Sequence, residues 1–235
     1  MKIIITLIFI LILTQNITAW DWNNHKSIVQ TLYYSTPYEI QRNLDLQQLE
    51  IGAIAPDKDF HDNRLHHYPK SYNLTLHWLN KTKEHLEKKE YSEASYAFGV
   101  ASHYISDSFV APHYISKEEP KLHSKFEKQS STKLSCINNK YNLKEDLEKA
   151  SKNEKDWEPW LKSQNPEIPQ KEIKQSMKLI SPLFLEIFNT TCETRTTRIE
   201  KEGIMLGNKT KNYLYVLFIL LIGNIKLKRF KNKFS

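Results

Sequence analysis

The sequence predicts an all-α fold: a single helical domain, preceded by an apolar leader and followed by a short apolar run with a basic tail. Three observations point there. Only 5 of 235 residues are glycine, and the composition is rich in Lys, Glu and Leu. Apolar residues recur at helical spacing. Setting aside residues 1–19 leaves about 200 residues, enough for one well-filled core. No internal repeat and no glycine-rich phosphate loop is present.

Residues 1–19 (MKIIITLIFILILTQNITA) read as a secretory signal, with an uncleaved signal anchor as the alternative. Lys2 precedes the apolar run, and Thr18-Ala19 offers a small-residue cleavage site. Cleavage there makes Trp20 the new amino terminus, and a free α-amine can itself ligate a metal. The domain expected over residues 20–208 opens with a helix starting near Asn24. Its Ile28, Val29, Leu32 and Tyr33 make one apolar stripe. His25 lies at its start, five residues after Trp20, so both can face one ion.

Asp57 follows Pro56 at the end of a further helix, and His61, His66 and His67 come soon after in HDNRLHHYP. Pro-Asp is also an ordinary turn pair, so this stretch alone decides nothing. Residues 73–88 and 90–107 read as two helices, the first with Trp78, Leu79 and Leu86 on one side.

The second of these helices opens the most informative stretch, Tyr96 to Lys128. His103 and Asp107 are four apart, as are His123 and Glu127, so each pair shares one helix face. His113 lies between them, where Pro112 breaks two helical runs. A single His–x3–Asp pair is more often an ordinary polar pair; two pairs flanking a third histidine are rarer. Phe98, Val100, Ala101, Tyr104 and Ile105 surround His103, which places it inward. An inward Asp107 is costly unless paired or metal-bound. Metal binding is the expectation.

Beyond Glu127 the chain is Lys-rich, with helices expected at 143–152, 154–163 and 169–189 and a connector marked by Pro166 and Pro169. Trp157 and Trp160 read as packing residues. YLYVLFILLIGNI (213–225) is apolar and precedes a basic tail, 226–235. It is shorter than the roughly 20 residues of a usual span, but snorkelling lysines could extend it. Spanning would leave the tail cytosolic and the domain lumenal or outside, as a type I anchor. The alternatives are an interfacial helix or a terminal core helix.

The net charge of +7 misleads. Six basic residues lie in the leader (Lys2) and the tail; without them 28 basic residues face 27 acidic ones, so no polyanion-binding surface is implied. Cys136 and Cys192, in a chain expected to be exported, are expected to pair. Sequons at Asn73, Asn80, Asn189 and Asn208 agree with export and with a glycoprotein.

Taken in order, these residues resemble the zinc-dependent phospholipase C family, related in fold to the S1/P1-type nucleases. The family pattern is an N-terminal Trp, a nearby His, an Asp, a His before an aromatic, His–x3–Asp–x5–His and His–x3–Glu. The similarity runs from about Trp20 to Phe188 and is strongest from Tyr96 to Glu127, where HSKFE resembles the phospholipases. The resemblance implies an all-helical domain of that type and three Zn²⁺ ions. One takes His103, Asp107 and a histidine of HHYP. A second takes His113, His123 and Glu127. The third takes the amine and carbonyl of Trp20, His25 and an oxygen of Asp107. Asp57 holds or deprotonates the attacking water. Both His66 and His67 are kept for the HHYP ligand, with His67 preferred.

The implied reaction is hydrolysis of a phospholipid headgroup phosphodiester, with a membrane nearby. Bacterial relatives carry an aromatic directly after the Asp, lining a choline pocket. This chain has Lys58, which leaves choline selectivity open and admits a more anionic headgroup. Two alternatives stand. A single-strand nuclease would use the same metals, bind bases by stacking, and share the Trp20-to-His25 gap. A non-catalytic membrane protein would use zinc for structure alone.

Overall fold

The computed structural model describes residues 22–193, and these are helix and loop throughout, with no strand among the described residues. The leader 1–19, Trp20, the boundary at 208, the sequon at Asn208, the apolar run 213–225 and the tail 226–235 lie outside the described residues. Among the described residues no helix is long and apolar enough to cross a membrane.

The helices are α1 (Trp22–Tyr34), α2 (Tyr38–Gln41), α3 (Leu46–Ala55), α4 (Lys70–Glu87), α5 (Tyr91–Asp107), α6 (Pro120–Gln129), α7 (Leu143–Ala150), α8 (Trp157–Ser163) and α9 (Glu167–Ile187). The centre is α5, whose last turns are buried on every side: every residue from Ala97 to Asp107 is buried. α3 and α4 pack most extensively on it, with α1 and α9 closing other faces. Asp45 ties the starts of α3 and α5 together. Its carboxylate caps Gln48 N–H (3.1 Å) and accepts the Ser92 hydroxyl (3.0 Å).

A close crossing of two glycines seats α3 against α5. A Cβ on Gly52 would lie 2.1 Å from the Tyr96 carbonyl oxygen, and one on Gly99 would lie 2.4 Å from that of Leu49. Only hydrogen fits at either point. The crossing brings the Ala53 carbonyl 2.8 Å from Nδ1 of His103, so a packing feature orients that buried ring.

The main core joins Ile28, Val29 and Leu32 of α1 to Phe98 and Ile105 of α5 and Phe184 of α9, as the α1 stripe predicts. A second cluster packs Phe126 of α6 against Trp157 and Trp160, which are buried packing residues as expected. Cys136 and Cys192 form a disulfide, Cα–Cα 5.8 Å, closing a separation of 56 residues. Chain-entropy arguments give such a closure about 4 kcal/mol.

The structure departs from expectation locally. Residues Pro56–Phe60 continue α3 as a π-helical turn ending at His61 in the left-handed region, φ 54°. The helix expected at 154–163 begins as a 3-10 turn, Ser151–Asp156, before α8.

Gly99→Ala should force two backbones apart and destabilise the protein by about 1–3 kcal/mol, read as a lower urea midpoint. An unchanged midpoint would contradict the close crossing.

Candidate metal centre

Helical spacing sets His103 and Asp107 one turn apart on α5, and both are fully buried. Four imidazoles converge on Asp107. Its Oδ2 lies 2.8 Å from His66 Nδ1, 3.1 Å from His103 Nε2 and 3.9 Å from His113 Nε2. Its Oδ1 lies 3.3 Å from His25 Nε2, so the two oxygens face different partners. Asp57 Oδ1 stands 3.5 Å from both His66 Nδ1 and His103 Nε2. Asp57, His66, His103 and Asp107 thus offer ligand atoms within 4.8 Å of one another. His113, His123 and Glu127 form a second such group. There Glu127 Oε1 is 2.5 Å from His123 Nε2 and 3.4 Å from His113 Nε2.

Distant segments fix each ring. His103 Nδ1–H donates to Ala53 O (2.8 Å). The Ser106 hydroxyl donates to the His103 carbonyl, leaving its oxygen to accept from His25 Nδ1 (3.0 Å). His123 Nδ1–H donates to Glu118 (3.0 Å) and His66 Nε2–H to Asp62 (2.7 Å). His113 sits on the 3-10 turn Ala111–Tyr114, which is pinned at both ends. Asn153 Nδ2 donates to Phe109 O (2.8 Å), Ala111 N–H to Glu172 (3.2 Å), and the Tyr114 hydroxyl to Ser108 O (2.7 Å). Asn24 Nδ2 reaches Glu127 O (2.7 Å), tying α1, and with it His25, to α6.

The electrostatics follow. Burial opposes charge on Asp107, but the surrounding histidines, His103 foremost, hold its carboxyl well below the usual range. Burial also opposes charge on His66 and His123. The carboxylates of Asp107 and Asp62, one beside each ring nitrogen, nonetheless push His66 up to about 9, and Glu127 pushes His123 up to about 9. Burial pushes Glu127 up to about 8 against the pull of His123. Burial holds His25 and His113 well below the usual histidine value.

The sequence-predicted residues divide clearly. Asp57, His66, His103 and Asp107 meet in one group, and His113, His123 and Glu127 in the other, with His25 on the far oxygen of Asp107. His67, preferred on sequence, is corrected to His66: the His67 ring lies edge-on to Tyr114 at 5.7 Å and belongs to neither group, whereas His66 is fully buried. His61 is exposed, and its Nδ1 lies 3.1 Å from the Asp57 carbonyl. Trp20 lies outside the described residues. Sequence reasoning did not single out Asp62, Glu118, Ser106, Asn24 or Glu172. An acidic residue four or five positions before a histidine of either group was the available signal for the first two.

These residues fit Zn²⁺. Both oxygens of Asp107 and Nδ1 of His66 are buried without a hydrogen bond of sound geometry, and among the described residues no lysine or arginine pairs with Asp57, Asp107 or Glu127. Imidazole nitrogens around carboxylate oxygens, with the outer ring nitrogens held by acceptors, are the donor set zinc takes.

Without metal, the raised His66 and His123 stabilise the fold as cations. That contribution is whole below the unfolded value of ~6.5 and lost as pH rises through about 9. The lowered His25 and His113 work the other way, but their effect is complete by about pH 7.5. Chelated protein should therefore lose melting temperature between about pH 7.5 and 9, and zinc-loaded protein should lose less. A level or rising melting temperature in chelator would contradict this.

No match was found among curated proteins or among solved structures. A family model described as zinc dependent phospholipase C matches residues 24–175, which include both ligand groups and all the described helices from α3 to α8. With this match over more than half of the chain, the protein belongs to the zinc-dependent phospholipase C family.

Proposed function

We propose that the chain hydrolyses the headgroup phosphodiester of a phospholipid, with Asp57 as the carboxylate that handles water. One observation carries the assignment of that role. In the first ligand group His66, His103 and Asp107 are fully buried, whereas Asp57 is 20% exposed. A single carboxylate at the wet edge of a dry cluster can meet both the metal site and solvent.

His66, His103 and Asp107 would hold one cation from the protein side, and His113, His123 and Glu127 a second. His25 and the amine of Trp20 would hold a third on Oδ1 of Asp107. Bound zinc would supply a Lewis acid that lowers the pKa of a water toward ~7 and offsets the charge gained in phosphodiester hydrolysis. Asp57 would orient the attacking water and accept its proton. The π-helical turn carrying Asp57 also presents exposed Lys58, which favours a headgroup more anionic than choline. The near balance of charge outside the termini favours lipid over nucleic acid.

Export is part of the same proposal. Cleavage after Ala19 frees the Trp20 amine, and residues 213–225 anchor the domain on the lumenal or outer side. The Cys136–Cys192 disulfide supports an oxidising compartment, and the sequon residues Asn73, Asn80 and Asn189 are exposed. Sequencing the exported protein should read Trp20 first; any other start would remove the third site.

Purified protein should turn over phosphatidylcholine or phosphatidylinositol, and Asp57→Asn should lower that rate by about 10²–10⁴-fold while zinc content stays constant. Rapid cleavage of single-stranded DNA without lipid turnover would select the nuclease alternative. An Asp57→Asn protein with unchanged activity would remove Asp57 from the chemistry.

A further inference from the structure

Five histidines face the two ligand groups, and one is turned differently. His25, His103, His113 and His123 direct Nε2 toward Asp107 or Glu127. His66 directs Nδ1, the nitrogen next to its own backbone, and sends Nε2 outward. An imidazole that offers Nδ1 to a cation must carry its proton on Nε2, and that N–H needs an acceptor outside the cluster. Asp62 provides it, with Oδ1 2.7 Å from His66 Nε2.

Asp62 is itself held. Its other oxygen accepts the Tyr104 hydroxyl at 2.5 Å, and Tyr104 is a buried residue of α5 directly after His103. The loop carrying His66 is thereby fastened to the helix that carries His103 and Asp107. The ring packs edge-on against both His103 (4.7 Å) and Tyr104 (5.7 Å), so the contact fixes its plane as well as its tautomer.

We propose that Asp62, anchored by Tyr104, is a positioning residue: it selects the Nδ1-ligating form of His66 and so sets the zinc affinity of the first ligand group. This rests on the assignment of His66 as a zinc ligand. The same arrangement explains why His66 and not its neighbour His67 occupies the site. Asp62 is four residues before His66 and bonds its ring, while His67 lies against Tyr114.

The test measures zinc affinity by chelator competition and the visible spectrum of the cobalt-substituted protein, on wild type, Asp62→Ala, Asp62→Asn, Tyr104→Phe and His66→Ala. Far-ultraviolet circular dichroism of the metal-free proteins checks that each folds. Asp62→Ala should weaken the affected zinc by roughly 10–100-fold and alter the cobalt bands. Asp62→Asn keeps a carbonyl acceptor and should recover part of the loss, and Tyr104→Phe should weaken zinc by less than Asp62→Ala. Adding Asp62→Ala to His66→Ala should cost no further affinity, because Asp62 acts through that ring. If His66→Ala binds zinc as wild type does, the ligand assignment fails. If His66→Ala loses zinc but Asp62→Asn and Tyr104→Phe keep wild-type affinity and spectrum, the positioning role is overturned, whether or not Asp62→Ala folds.

Discussion

A carboxylate with no access to water is the constraint around which this molecule is arranged. Asp107 is fully buried at the end of α5, and ionising it there would cost several kcal/mol without compensation. The compensation comes from rings brought in by separate segments: His25 from α1, His66 from the loop before α4, His103 from its own helix and His113 from the turn that follows. Imidazoles alone would have to stay charged in a dry interior to serve this purpose. Zinc, on which the family depends, would resolve the conflict if held between them and the carboxylate, letting the rings remain neutral.

That arrangement explains why so much of the fold works on behalf of a few side chains. The glycine crossing of α3 and α5 sets the carbonyl that aims His103. Glu172 on α9 and Asn153 hold the backbone at the start of the turn that carries His113. The Trp157–Trp160–Phe126 cluster seats α6, which also carries His123 and Glu127. In the first group His66, His103 and Asp107 are fully buried, and only Asp57 meets solvent.

The parts readable from sequence were those governed by local periodicity. The pairs His103–Asp107 and His123–Glu127 follow from helical spacing, and the apolar neighbours of His103 placed it inward. The α1 stripe and the packing role of the tryptophans are readable for the same reason. What stayed hidden depends on residues far apart in the chain. Choosing between His66 and His67 required knowing that Tyr104 reaches back to Asp62, a contact separated by 42 residues. The glycine crossing was equally invisible, since neither Gly52 nor Gly99 shows in its own segment that a backbone passes within reach. At Asp57 an ordinary Pro-Asp turn stood as the alternative reading, and nothing local distinguishes it from the π-helical continuation of α3.

The central claim is that cations occupy the space around Asp107 and Glu127. Anomalous scattering at the zinc edge, from crystals of the exported protein grown without added metal, tests it most directly. The account predicts one peak among Asp57, His66, His103 and Asp107, one among His113, His123 and Glu127, and one between His25 and the far oxygen of Asp107. Well-ordered side chains at these positions with no anomalous density between them would contradict it.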